Sequence, residues 1–86
     1  MGSKVFDGVR FSVHTRDHSA PHVHGTTAGA IVILDLLPNN EVSLSDRWDA
    51  VTPSNTPRNV QSKIRRVAAE HIEELYALWE KTHGTR

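Results

Sequence analysis

The first half of the chain alternates between apolar and polar residues with the period of two that is typical of a half-buried β-strand. Val9, Phe11 and Val13 fall on one face, and the residues between them are polar. An Asp-Gly turn signal comes just before this stretch, so we expect a short edge strand over residues 4–6. The pattern predicts two neighbouring strands at the start of the chain.

Three further segments are predicted to be extended. His22-Val23-His24 follows Pro21, and strand alternation places both of its imidazoles on one face. After a turn over residues 25–29, the nearly continuous run of β-branched and apolar residues over 30–36 is typical of a strand at the centre of a sheet. Val42 and Leu44 mark one more strand, after which residues 46–56 have no interpretable period.

The second half of the chain has helical periodicity. Thr56-Pro57 is a favourable helix start, with a hydroxyl at the cap and proline at the first helical position, and the pattern continues to about residue 81. His71 falls near the middle of the apolar stripe, and Glu74 lies at its edge. The stripe is formed by Val60, Ile64, Val67, Ala68, Leu75, Leu78 and Trp79.

These elements predict a single α+β domain over residues 1–86. An antiparallel sheet of three or four strands occupies about 4–45, an irregular segment 46–56, and one long C-terminal helix, about 57–81, crosses one face of the sheet. Because the helix lays its apolar stripe on the sheet, we expect His71 to be mostly buried against the strands. Trp48 and Trp79 are interpreted as core anchors.

Composition limits the classes of protein to which the chain can belong. With 86 residues and 37% hydrophobic residues the core is lean, so we expect a homodimer or a bound partner to bury more apolar surface. Ten basic and ten acidic residues give zero net charge, which argues against the broad basic surface of a constitutive nucleic-acid binder. No apolar run approaches a membrane span and no signal-peptide pattern appears, so a cytoplasmic protein is expected.

Histidine is the most distinctive feature of the sequence. Four of the six histidines fall between positions 14 and 24, interleaved with one arginine and one aspartate: His14, Arg16, Asp17, His18, His22 and His24. Histidine ligates transition metals as a neutral base and exchanges protons near neutral pH. The chain has no cysteine, so a transition-metal site would have to use histidine and carboxylate. His14 is expected to be solvated, and His83 to play no part.

Three interpretations of the cluster remain open. In the first, His22, His24 and His71, with or without Glu74, bind zinc or another divalent transition metal that activates a water molecule. In the second, the site is metal-free and cleaves RNA by acid–base catalysis, with His18 as a proton donor beside His22, His24 and His71. The residues assigned to catalysis in that case are His18, His22, His24, His71, Arg16 and Asp17. In the third, the network is structural and includes an Arg16–Asp17 ion pair.

The run Arg16-Asp17-His18 followed by Pro21-His22-Val23-His24 resembles the signature of a small bacterial family known as domain of unknown function 4160. A helical His-x-x-Glu-Leu element followed by tryptophan is similar as well, and here it reads His71 to Leu75 with Trp79. The resemblance implies a compact α+β domain that is often encoded beside a second small protein, as in toxin–antitoxin pairs. It implies no established activity. The chain departs from the family pattern in two places. Many members have two prolines before the His-x-His, whereas this chain has Ala20 and then Pro21, and the segment over 45–56 is longer here than usual.

The leading functional hypothesis is therefore a small bacterial accessory protein, toxin–antitoxin-like, whose histidine-lined site binds a divalent metal and acts on RNA. The alternative is a non-enzymatic protein-interaction module in which the histidine–aspartate network is structural. An enzyme should present its histidines in an open cleft, whereas an interaction module should bury and pair them.

Overall fold

The structure is a computed structural model that describes residues 2–14 and 20–83. In chain order the elements are β1 (Gly2–Phe6), β2 (Val9–Val13), β3 (His22–Thr27), β4 (Ala30–Leu37), β5 (Glu41–Leu44), β6 (Val51–Thr52), α1 (Arg58–Glu70) and α2 (Ile72–His83). The α+β class is confirmed. None of the helices in this part of the chain is long and apolar enough to cross a membrane.

The strands form one antiparallel sheet in the order β1-β2-β3-β4-β5, with β6 paired to β4 beyond the end of β5. The prediction of three or four strands was therefore too low. The alternating strand with Val9, Phe11 and Val13 on its apolar face was predicted, because one of its faces is buried and the other polar, although the observed strand ends at Val13. β6 was missed because two residues are too few to show a period.

Both helices cover one face of the sheet, and their apolar residues close a single core with it. Its buried members are Val9, Phe11, Val13, Val23, Val32, Leu34, Leu36, Ile64, Val67, Ala68, Ile72, Leu75, Leu78 and Trp79. α1 passes very close to β3, because a Cβ built on Gly25 would lie 2.5 Å from Ile64 Cγ2 and 3.0 Å from Phe11 Cε1. Only glycine permits that approach of helix to strand.

The C-terminal half of the chain is two helices rather than the one long helix predicted. His71 separates them with φ −121° and ψ 30°, and its amide donates to the carbonyls of both Val67 and Ala68 at 3.2 Å. Leu75 N then donates to His71 O at 3.0 Å, so the helical direction is largely kept. Because buried residues continue at helical spacing on both sides of the break, periodicity alone cannot reveal a single residue that leaves helical geometry.

The start of α1 also differs from the prediction. Pro57 is the capping residue, and no side chain caps the helix. Thr56 was predicted to supply the cap, but its hydroxyl donates to the Pro53 carbonyl at 2.6 Å, and Gln61 Nε2 donates to the Thr56 carbonyl at 2.9 Å. The hydroxyl is thus occupied within its own turn, which is a common competitor of capping for threonine.

The two tryptophans have opposite environments. Trp79 is a core anchor, as predicted, with 9% of its surface exposed, whereas Trp48 is 96% exposed and the prediction for it was wrong. Trp48 lies in the segment without period, where nothing in the sequence fixes the direction of a side chain. Its neighbours Arg47 and Asp49 form an ion pair at 3.0 Å on the surface.

Candidate functional site

Five aromatic rings form a continuous series that joins the start of β3 to the end of α2. In order the members of this ring series are His14, His24, His22, Trp79 and His83. Successive ring centroids lie 4.3 Å, 5.5 Å, 5.3 Å and 3.9 Å apart. The first and last pairs are stacked and the two central pairs are tilted, so each ring packs on the next.

The sheet register explains why the three N-terminal histidines meet. His24 is paired with Ser12 of β2, which puts its ring beside that of His14, two residues further along β2's direction. His22 and His24 are two apart on β3 and therefore point to the same side of the strand. The backbone also holds His22, because its Nδ1 donates to the Ala20 carbonyl at 3.0 Å. His22 is only 4% exposed, and the little of it that is accessible contributes to the lining of a small pocket of about 250 Å³ beside Asp35 and Ser45.

His83 is a member that the sequence did not predict. It was expected to play no part because it was placed beyond the last helical turn, but α2 extends to His83 and stacks this ring on Trp79. The signal was present as the spacing of four residues between the two, which places them on one helix face. His14, expected to be solvated, is exposed as a residue although its ring stacks on His24.

His71 has a different set of neighbours. Its ring stacks on Phe6 of β1 with centroids 4.0 Å apart and planes 11° apart, and its side chain is 27% exposed. Nε2 lies 3.9 Å from Asp7 Oδ2, and Nδ1 lies 3.7 Å from Glu74 Oε2. As predicted, the ring faces the sheet and most of the side chain is buried, although it lies against the edge strand β1.

The contacts of His71 lie at the other end of β3 from His22. Thr27, the last residue of β3, donates to the Gly8 carbonyl at 3.1 Å, so the turn that carries Asp7 lies beside Thr27. At about 3.3 Å per residue, His22 and Thr27 are roughly 16 Å apart along the strand. The structure thus brings His22 and His24 together, and brings His71 to Glu74, without a contact between the two groups among the described residues.

Three of the predicted site residues, Arg16, Asp17 and His18, lie outside the described residues. The roles assigned to them stay predictions, as do metal binding and catalysis by His22 and His24. Within residues 2–14 and 20–83, a histidine–carboxylate group with ligand atoms all within 4.8 Å of one another is formed by Asp7, Glu70 and His71.

A wide groove of about 700 Å³ runs between α2 and the β4–β5 turn. Most of its lining is apolar, and none of the described histidines contributes to it; the walls are Ala20, Pro21, Asp35, Leu36, Leu37, Pro38, Asn40, Glu73, Tyr76, Ala77 and Glu80. Tyr76 fixes one wall, because its hydroxyl donates to the Leu36 carbonyl at 2.8 Å. Burial raises the pKa of Tyr76 above its usual value of 10.0, so this donor stays protonated at neutral pH.

Three carboxylates contribute to the lining of the groove, namely Asp35 on β4 and Glu73 and Glu80 on α2. The two glutamates are seven residues apart, so they lie on one side of the helix, and both are exposed. This groove is not predictable from the sequence, because its walls come from three separated segments, each of which looks like an ordinary edge of an element.

The structure therefore defines a small α+β domain in which two helices cover one face of an antiparallel sheet and interlocked rings hold the start of β3. The chain belongs to the family described as domain of unknown function (DUF4160), whose family model matches residues 8–80. The family resemblance inferred from the two motifs is thus confirmed. No curated protein and no solved structure shows significant similarity to the chain.

Proposed function

We propose that the protein is a non-enzymatic interaction module of a toxin–antitoxin-like bacterial system, which binds a segment of a small partner protein in the groove along α2. The observation that carries the proposal is the groove itself, a concave apolar surface of about 700 Å³ that no segment of the described chain fills. Exposed apolar concavities of this kind are typical of sites where another molecule binds.

The environment of the histidines in the ring series supports a structural role for them. His22 is buried and bonded to the backbone, and the ring series packs it against Trp79. Rings that are interlocked in this way hold the chain around Pro21, which forms part of the groove wall. The histidine signature thereby shapes the binding surface.

The charges at the groove define the chemistry of the partner. Among the described residues, Asp35, Glu73 and Glu80 give the lining three negative charges and no positive one. A segment with apolar side chains flanked by lysine or arginine would place its apolar part in the groove and its charges beside these carboxylates. Such complementarity speeds association and suppresses binding of acidic segments.

If the groove is the binding site, a single substitution in it should greatly weaken binding to the small protein encoded beside this one. Ala77 is exposed and lines the groove, so Ala77→Arg fills the cavity and opposes the charge of a basic partner. Ala69→Arg is the matched control, because Ala69 is an exposed alanine on α1. With both proteins purified, titration calorimetry should detect binding to wild type and to Ala69→Arg and at least about a hundredfold weaker binding to Ala77→Arg.

A random peptide library displayed on phage tests the chemistry of the occupant independently. Peptides selected by wild type should combine apolar residues with lysine or arginine, and the double variant Glu73→Lys/Glu80→Lys should select acidic flanks instead. Selection of the same peptides by both proteins, or equal binding of the partner to both arginine variants, would show that the groove is not the site.

Metal-dependent action on RNA stays a second candidate, because His14, His22 and His24 do gather at one end of the sheet. The untagged protein would be incubated with single-stranded and duplex RNA, with and without zinc. Cleavage that is lost in His24→Gln and in the presence of a chelator would favour this function. Intact RNA under all conditions would contradict it and favour the interaction module.

A further inference from the structure

We propose that Asp7, Glu70 and His71 form a binding site for a divalent transition-metal ion of the zinc type. One ligand atom from each residue lies within 4.8 Å of the other two, although the residues come from a β-turn, the last position of α1 and the break between the helices. The site is separate from the groove and from the ring series, and it does not depend on the proposed function.

The ring of His71 is held in place before any ion binds. Phe6 stacks on it at 4.0 Å, which fixes the plane of the imidazole and directs Nε2 toward Asp7 Oδ2 at 3.9 Å. The turn fixes Asp7 itself in a left-handed backbone conformation with φ 52°. Two of the three donors thus face each other across a gap that an ion at 2.0–2.2 Å from each atom would nearly span.

A third carboxylate occupies the position expected of an outer partner. Glu74 Oε2 lies 3.7 Å from Nδ1 of His71, on the far side of the ring from Asp7. A carboxylate near one ring nitrogen favours the tautomer that carries its proton there and leaves Nε2 free as a ligand. This histidine–carboxylate arrangement is common around metal-bound histidines.

The side chains in the last turn of α1 also favour a cation. Glu70 ends α1, and α1 has no basic residue in its last turn, so the side chains of that turn add no positive charge. Two carboxylates and an imidazole suit zinc and similar ions, with water completing the coordination. Magnesium and calcium prefer oxygen ligands only, so imidazole makes them poor occupants.

A bound ion would tie the β1–β2 turn to the junction of the two helices. Because Asp7 is far in sequence from Glu70 and His71, the complete site exists only in the folded chain, and binding must stabilise that state. We therefore expect zinc to raise the melting temperature of the protein.

The experiment is a titration of untagged, metal-free protein with zinc chloride, followed by calorimetry and thermal unfolding. The double variant Asp7→Asn/Glu70→Gln should bind zinc at least about tenfold more weakly and lose most of the rise in melting temperature. The control Glu41→Gln/Asp46→Asn removes two other exposed carboxylates and should behave as wild type. Equal weakening in both variants, or in neither, would overturn the proposal.

Nuclear magnetic resonance separates this site from the other histidines. In wild type the first equivalent of zinc should shift the ring signals of His71 and the backbone amide of Gly8, with smaller changes at His14 and His24. Shifts confined to those two histidines would place the ion elsewhere and overturn the proposal. Because groove binding is measured without added metal, failure here leaves the proposed function untouched.

Discussion

Substituting valine for Gly25 is expected to be the most destabilising change that a single glycine of this protein can undergo. A Cβ at this position would lie 2.5 Å from Ile64 Cγ2, and valine adds two further methyl groups in the same direction. Both neighbours, Ile64 and Phe11, are fully buried, so neither can move aside without opening the core. Overpacking of this kind costs about 1–3 kcal/mol and more where the backbone must shift.

Urea denaturation monitored by circular dichroism measures the effect. A rescue variant provides the control. Gly25→Ala alone should be less stable than wild type. Gly25→Ala/Ile64→Ala should lose less stability than the sum of the losses in the two single variants. The coupling arises because the new methyl group fills space that the shortened side chain vacates. Strict additivity, or a Gly25→Val protein as stable as wild type, would show that α1 does not lie directly over β3.

Truncation of the two tryptophans should have opposite consequences. Trp79→Ala removes a buried side chain between His22 and His83 and should cost about 3–5 kcal/mol, which is a large share of the stability of a small domain. Trp48→Ala removes a side chain that is 96% exposed and should change stability by less than about 0.5 kcal/mol. Urea denaturation of each variant, followed by circular dichroism, gives both values.

The same two variants also report on the environment of each tryptophan ring. The fluorescence of Trp79 in the Trp48→Ala protein should be that of a buried indole and shift to longer wavelength on unfolding, whereas Trp48 emits as a solvated indole throughout. Comparable losses of stability in the two variants would contradict the packing of α2 on the ring series.

Local pattern was enough to predict the elements whose residues are buried on one side only. The strand over 9–13 and the central strand near 30–36 have clear patterns, and their neighbours in the sheet follow from short turns. The break at His71 was not predictable, because one residue with φ −121° leaves the buried positions on either side in place. Trp48 was misplaced because its segment is neither helical nor alternating, and an isolated aromatic residue carries no information about direction.

The candidate sites also combine features that local pattern predicts with features that it does not. His22 and His24 could be brought together from the sequence because both belong to one strand, and His71 could be directed to the sheet by its position in the stripe. Its actual neighbours, Phe6 and Asp7, depend on which strand the helix junction overlies, and no local pattern encodes that. The groove likewise depends on how the helices dock, since Pro21, Leu36 and Tyr76 meet only after docking.

The order of the strands along the sheet has a consequence for how the chain reaches its fold. From β1 to β5 each strand pairs with the next one in sequence, so each hairpin can form after closing only a short loop. Topologies with such local contacts fold faster than those that pair distant segments. The slow step is then expected to be the docking of α2 on β1, where Leu78 meets Gly2 and nearly the whole length of the chain is closed into one loop.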